Sequence, residues 1–197
     1  RDYNRTFAVD GRLGIGDAGL LSGFVARSVT PGLDGRDHAY RFMAERHTQG
    51  WDAVAAYTEV ADDFNPEVGF LSRSGYRNLG LRTNHRIRPD NFIGIHELRP
   101  HITANSFWNF DGFQETGRIH VDQHWEWKTG HEMHTGTNIT REGVVEAFEI
   151  APGVIVPPVT YDHQELVLVF FTNQGAPFTV RFDVNAGGFF GGDRLRL

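Results

Sequence analysis

Cysteine is absent from all 197 residues, which excludes a disulfide framework and thiolate metal ligands while fitting an exported bacterial chain as well as a cytosolic one. No apolar run approaches the roughly 18 residues of a membrane-crossing helix. No linker rich in proline, glycine or serine divides the chain, so residues 1–197 read as a single β-barrel region. Basic runs are also missing, and the formal net charge is -6, which leaves no electrostatic footprint for nucleic acid. Apolar residues at helical spacing are scarce throughout. No Gly-x-Ser-x-Gly elbow or His-Glu-x-x-His pair marks a hydrolase. The ends, "RDYNRTF" and "GGDRLRL", show no signal peptide, and the chain reads as an excerpt of a longer protein.

What remains is alternation with a period of two and an aromatic content of 13%, with sixteen Phe. The alternation predicts an all-β protein with at least ten strands, at 5–15, 20–30, 37–46, 51–60, 75–88, 92–106, 115–127, 131–141, 160–172 and 178–187. Connections alternate in length. "GDAG", "HTQG", "PDN", "KTG" and "NQGAP" are short; "PGLDGR", "ADDFNPEVGFLSRS", "FWNFDGFQ" and "EGVVEAFEIAPGVIVPPV" are long. An antiparallel up-and-down meander with tight turns on one edge and long loops on the other is how outer-membrane β-barrels are built. The fold expected is such a barrel or a section of one.

Strand faces agree. In 115–127 the odd positions Ile119, Val121, Trp125 and Trp127 oppose the even positions Arg118, His120, Asp122, His124 and Glu126. The turn Lys128-Thr129-Gly130 suits a three-residue hairpin with Gly130 left-handed, which pairs Trp127 with His131, sets Glu126 beside Glu132 and sets His124 beside His134. Arg82, Arg86 and Arg88, with Arg99 and Arg118, fall on polar faces and read as charge balance for acidic lumen residues or as an attraction for anionic solutes. Trp51, Phe92, Trp125, Trp127 and Phe178 lie beside short turns, as an interfacial aromatic girdle would. Pro100 inside a strand implies a bulge or a displaced boundary, and Arg27, Asn78 and Gln123 disturb otherwise clean faces.

Other motifs point to simpler readings. "GIGDAG" has the letters of a dinucleotide fingerprint, but strand and not helix follows it, so a tight hairpin is expected. His124 and His134 with Asp122, Glu126 or Glu132 could supply metal ligands; the hairpin register spreads His120 and His131 to other rungs or faces, so a hydrated wall without metal or cofactor is the expectation. The Glu126–Glu132 pair reads likewise as part of a polar sheet face and not as an acid–base pair. "NIT" at Asn138 matches a glycosylation acceptor but sits in a strand.

The phrases "FNPEVGF", "HELRPH", "FDGFQETG", "VDQHWEWKTG", "TNQGAPF" and "GGFFGGDR" occur in an order that resembles an uncharacterised bacterial family, the domain of unknown function 5916. The resemblance covers essentially the whole chain. It implies the barrel region of a large exported protein, following a family-9-like carbohydrate-binding domain that this chain lacks, and it offers no catalytic residues. The partners expected are therefore the lipid bilayer of the bacterial outer membrane and a small solute or oligosaccharide. The alternative is a soluble β-sheet domain that binds or processes carbohydrate through loop aromatics such as Trp108, Phe110 and Phe113.

Overall fold

A computed structural model describes residues 3–33, 35–67 and 69–197. The strands are β1 (Arg5–Ile15), β2 (Gly19–Val29), β3 (His38–His47), β4 (Trp51–Val60), β5 (Tyr76–His85), β6 (Ile95–Trp108), β7 (Gln114–Trp127), β8 (Glu132–Gly143), β9 (Phe148–Ala151), β10 (Val154–Val156), β11 (Thr160–Phe171), β12 (Arg181–Phe189) and β13 (Gly192–Arg196), with no helix among the described residues. Eleven form one antiparallel sheet in the order β1 to β8, then β11 to β13, and β9 pairs with β10 alone. All ten expected strands are present, with boundaries within about three residues.

The meander is confirmed; a closed barrel is not formed. β1 and β13 are opposite edges of an open sheet. The mismatch is physical: β13 has 5 residues and β1 has 11, so β13 cannot satisfy the free ladder groups of β1. Three strands were not expected. The β9–β10 hairpin turns at Gly153 (φ 77°) inside the long β8–β11 connection, and β13 follows a tight turn at Phe190-Gly191, both left-handed.

The hairpin register expected for β7–β8 is found. His124 pairs with His134, Trp125 with Met133 and Glu126 with Glu132, and the Trp127 N–H donates to the His131 carbonyl at 2.9 Å. Gly130 has φ 81° and a Cβ there would lie 2.7 Å from the Asn173 side chain, so conformation and space both require glycine. Pro100 carries no bulge. Its neighbour on the same ladder side, Leu98, exchanges backbone hydrogen bonds with Ile87, while the regular β5–β6 ladder begins only at His101–Asn84. The missing donor of Pro100 thus faces the gap between these two pairings, and the bulge lies at Ile95/Glu97 instead.

Registers carry one apolar face across the whole sheet. Val9, Leu13, Leu21, Val25, Phe42, Ala55, Leu81, Ile102, Ile119, Val121, Ile139, Leu166, Leu168 and Phe182 share it. Among the described residues no second layer covers that face, and the accessible surface of 12783 Å² compares with roughly 9,400 Å² expected for a compact chain of 22.2 kDa. The small core lies on the other face: Ala26, Ala39, Val60 and Phe64 form it, with Phe64 brought in by the β4–β5 connection. The Asn65 N–H donates to Ser28 Oγ at 2.9 Å and Asn4 Nδ2 donates to the Asn65 carbonyl at 2.6 Å, tying that loop across the inner side of β1–β4.

Candidate functional site

The polar face of β6–β8 is the most densely functionalised part of the molecule. Alternation brings Glu97, Arg99, His101, Thr103 and Asn105 of β6 to the same side as Arg118, His120, Asp122, His124 and Glu126 of β7, and β8 adds Glu132, His134, Asn138, Thr140 and Glu142. Arg99 is the hub of its acidic end, at 2.6 Å from Glu132, 3.6 Å from Glu126 and 3.7 Å from Glu97. The His124 and His134 rings stack at 3.5 Å with their planes 7° apart. Glu132 Oε1 lies 2.9 Å from His134 Nε2 and 3.3 Å from His124 Nδ1. At the other end Arg118 donates to Asn138 Oδ1 at 2.9 Å, and His120 Nδ1 lies 2.8 Å from the same oxygen.

Towards the long loops this face opens into two adjoining hollows. One, of about 530 Å³, is lined by Thr103, Asn105, Arg118, His120 and Glu142 among others. The next, of about 350 Å³, lies between Arg118, His163, Glu165, Phe190 and Arg194. Arg194 of β13 reaches Glu165 of β11 at 2.6 Å. Both hollows offer charged donors and acceptors beside aromatic surface, the chemistry that holds a polar solute by hydrogen bonds and stacking.

The burial of the two faces is inverted relative to a soluble sheet. On the apolar side Leu166 is 70% exposed, whereas Asp122 and Glu97 on the polar side are each 5% exposed. At the long-loop edge the apolar side is bounded by the pairs Glu59–Arg77 (3.0 Å) and Arg141–Asp162 (2.8 Å). At the tight-turn edge it is bounded by aromatics. Trp51 stacks on His85 at 4.0 Å, Trp125 Nε1–H donates to Thr135 Oγ1 at 2.9 Å, Trp127 ends β7, and Phe92 and Phe178 lie in the β5–β6 and β11–β12 turns.

The structure brings together Arg99, Arg118, His120, Asp122, His124, Glu126, Glu132 and His134 as the sequence suggests. The expected arginine row runs past the end of β5, where Ile87 and Leu98 still exchange backbone hydrogen bonds. Arg82 lies on the polar face of β5 and pairs with Asp52 at 2.9 Å, but β5 ends at His85, so Arg86 and Arg88 stand beyond the strand. The Arg86 N–H is tied to the Gly50 carbonyl at 2.8 Å, and Arg88 reaches back to Glu97 at 2.8 Å. Asn138 is buried and accepts from Arg118, so it is no glycosylation acceptor. The Arg36 and Arg77 guanidinium groups lie over the Phe110 ring at 4.9 and 4.6 Å. The sequence reading missed the placement of His101 against Asp122, together with Asn138, His163, Glu165 and Arg194. For His101 a signal existed in its even spacing from Arg99 and Thr103, but the β6–β7 register did not.

No family model matches the chain, and neither curated proteins nor solved structures include one similar to it.

Proposed function

We propose that the chain is a section of a bacterial outer-membrane β-barrel whose polar face lines a water-filled lumen and whose work is to pass or dock a polar solute, oligosaccharide included. One observation carries this reading: the face that bears the large apolar side chains is exposed, while Asp122, Glu97 and Asn138 are buried with the small core on the other. A soluble sheet hides its apolar side against a second layer, whereas a membrane barrel turns that side to lipid. The height of the band fits as well. From Ile119 to Trp127 on β7 there are eight rises of about 3.4 Å, roughly 27 Å along the strand, or about 21 Å at a tilt near 40°. That approaches the roughly 25 Å apolar band of such barrels, and the turn-side aromatics occupy the place of an interfacial girdle.

The open sheet belongs to this reading too, since β1 and β13 leave ladder groups that further strands of a longer chain, or another copy, would meet. Glycan chemistry is favoured by the resemblance to the domain of unknown function 5916 and by the two hollows, which mix arginines, carboxylates and phenylalanines. The test is fractionation of the full-length protein. It is expected in outer membranes, migrating faster on a gel when unheated, and recovery as a soluble monomer without detergent would contradict the proposal.

A further inference from the structure

On the polar face of β6–β8, three histidines close on one carboxylate that nothing else holds. Asp122 sits across the ladder from Gly136, where a Cβ would come within 3.0 Å of the Asp122 Cβ and Cγ, so glycine makes the room. The Asp122 side chain is 3% exposed, and its Oδ1 is sealed from solvent without a hydrogen-bond partner. A buried carboxylate oxygen left unmet is strongly unfavourable unless a cation or donor reaches it.

Hydrogen bonds behind the histidines determine where their free nitrogens point. Arg118 donates to Asn138 Oδ1, and a guanidinium has donors only, so that atom is the amide oxygen. His120 Nδ1, 2.8 Å from the same oxygen, therefore carries the proton, leaving Nε2 as the free nitrogen 3.4 Å from Asp122 Oδ2. His124 follows the same pattern, with Nδ1 3.3 Å from Glu132 and Nε2 3.6 Å from Asp122 Oδ2. Arg99 holds Glu132 in place at 2.6 Å. His101 lies across the β6–β7 ladder from Asp122, and one ligand atom from each of His101, Asp122 and His124 falls within 4.8 Å of the others.

Two lone pairs thus face one carboxylate oxygen, at distances longer than the roughly 2.7–3.2 Å of a good hydrogen bond. Tetrahedral zinc with bonds of about 2.0–2.1 Å sets neighbouring ligand atoms about 3.4 Å apart. The 3.6 Å separation of His124 Nε2 from Asp122 Oδ2 matches that spacing, and His101 completes a set whose ligand atoms all lie within 4.8 Å of one another, a set that His120 does not join. We infer that His101, Asp122 and His124 form a three-residue binding site for a divalent transition-metal ion of the zinc class, its fourth position open to water, with Glu132 orienting His124 from behind and His120 standing beside Asp122 as an outer group. The neighbouring group of His124, Glu132 and His134 is the poorer site: its two imidazoles are stacked nearly parallel and its carboxylate is bound to Arg99. The inference does not depend on membrane residence.

The test uses full-length protein purified through a histidine-free tag in detergent buffer, stripped with a chelator and titrated with Zn²⁺ by calorimetry and with Co²⁺ by absorption. One ion per chain is expected, with the strong visible bands of four-coordinate Co²⁺. Asp122→Asn and His101→Gln should each weaken Zn²⁺ binding by about 100-fold or more, and Glu132→Gln by about 10–100-fold. His47→Gln, His163→Gln and His134→Gln, which remove no ligand, should fall well short of the about 10-fold loss expected of a residue that orients a ligand. Absence of stoichiometric binding by the parent protein would overturn the inference, as would unchanged binding in Asp122→Asn, or loss in His134→Gln without loss in His101→Gln. Circular dichroism checks the fold of each variant. If Asp122→Asn does not fold, the parent's Co²⁺ spectrum decides, and weak six-coordinate bands count against the site.

Discussion

Val121 and Asp122 are adjacent in sequence and face opposite sides of one sheet, Val121 with Ile102 and Thr137, Asp122 with His101 and Gly136. A charge added to each side should therefore have different consequences. Val121→Arg is expected to cost about 2–4 kcal/mol of stability in a bilayer and Thr140→Arg, beside the lumen-side carboxylates, about 1 kcal/mol or less, measured by denaturant unfolding in lipid vesicles; equal costs would contradict the assignment of faces. Gly136→Ala should cost about 1–3 kcal/mol by overpacking, since its Cβ would meet the Val121 carbonyl oxygen at 2.7 Å, whereas the space beside Gly11 is open. Arg99→Met would leave Glu97, Glu126 and Glu132 without their shared cation. Because Arg99 is about a quarter exposed, solvent moderates the loss, and on the order of 2–3 kcal/mol is expected from the same unfolding measurement.

At the scale of elements, the alternation of side chains made nearly every strand of the sheet legible, and the Lys128-Thr129-Gly130 turn was enough to set the β7–β8 register. What that turn could not do was reach across to β6. The β6–β7 connection is longer and its ladder shifts at Phe107/Trp108, so counting residues from the loop does not place His101 opposite Asp122. The candidate site was therefore half readable: His124 and His134 as a pair, but not the convergence on Asp122. β9, β10 and β13 escaped because strands of 4, 3 and 5 residues are too short to show a period above the surrounding loop. The strand expected to 88 ends at His85, because the ladder with β4 stops there and only the isolated Ile87–Leu98 bridge carries the alternation on towards Arg88. Hydrogen exchange should follow the same hierarchy. The amides of β13, at a short open edge, should exchange ahead of those in β7, which is paired on both sides along its length; slower exchange in β13 would show that its edge is covered.

For the whole molecule, the question is what covers the apolar face. Eleven strands present it without a second layer, its loop edge is bounded by ion pairs and its turn edge by tryptophan and phenylalanine. The proposed placement, with lipid on that side and water on the other, accounts for all three features together. Residues 1–197 hold no cysteine, so a thiol introduced in the sheet is unique once any cysteine elsewhere in the full-length chain has been replaced by serine. Single substitutions Ile119→Cys, Val121→Cys, Ile139→Cys, Leu166→Cys, Thr103→Cys and Thr140→Cys, in full-length protein in membranes, would be treated with a charged, membrane-impermeant thiol reagent and, separately, carry a nitroxide probed by oxygen and by a water-soluble nickel chelate. The account predicts slow labelling and oxygen-dominated relaxation at Ile119, Val121, Ile139 and Leu166, with fast labelling and nickel-dominated relaxation at Thr103 and Thr140. Rapid aqueous labelling at Leu166 and Val121, equal to that at Thr140, would contradict it.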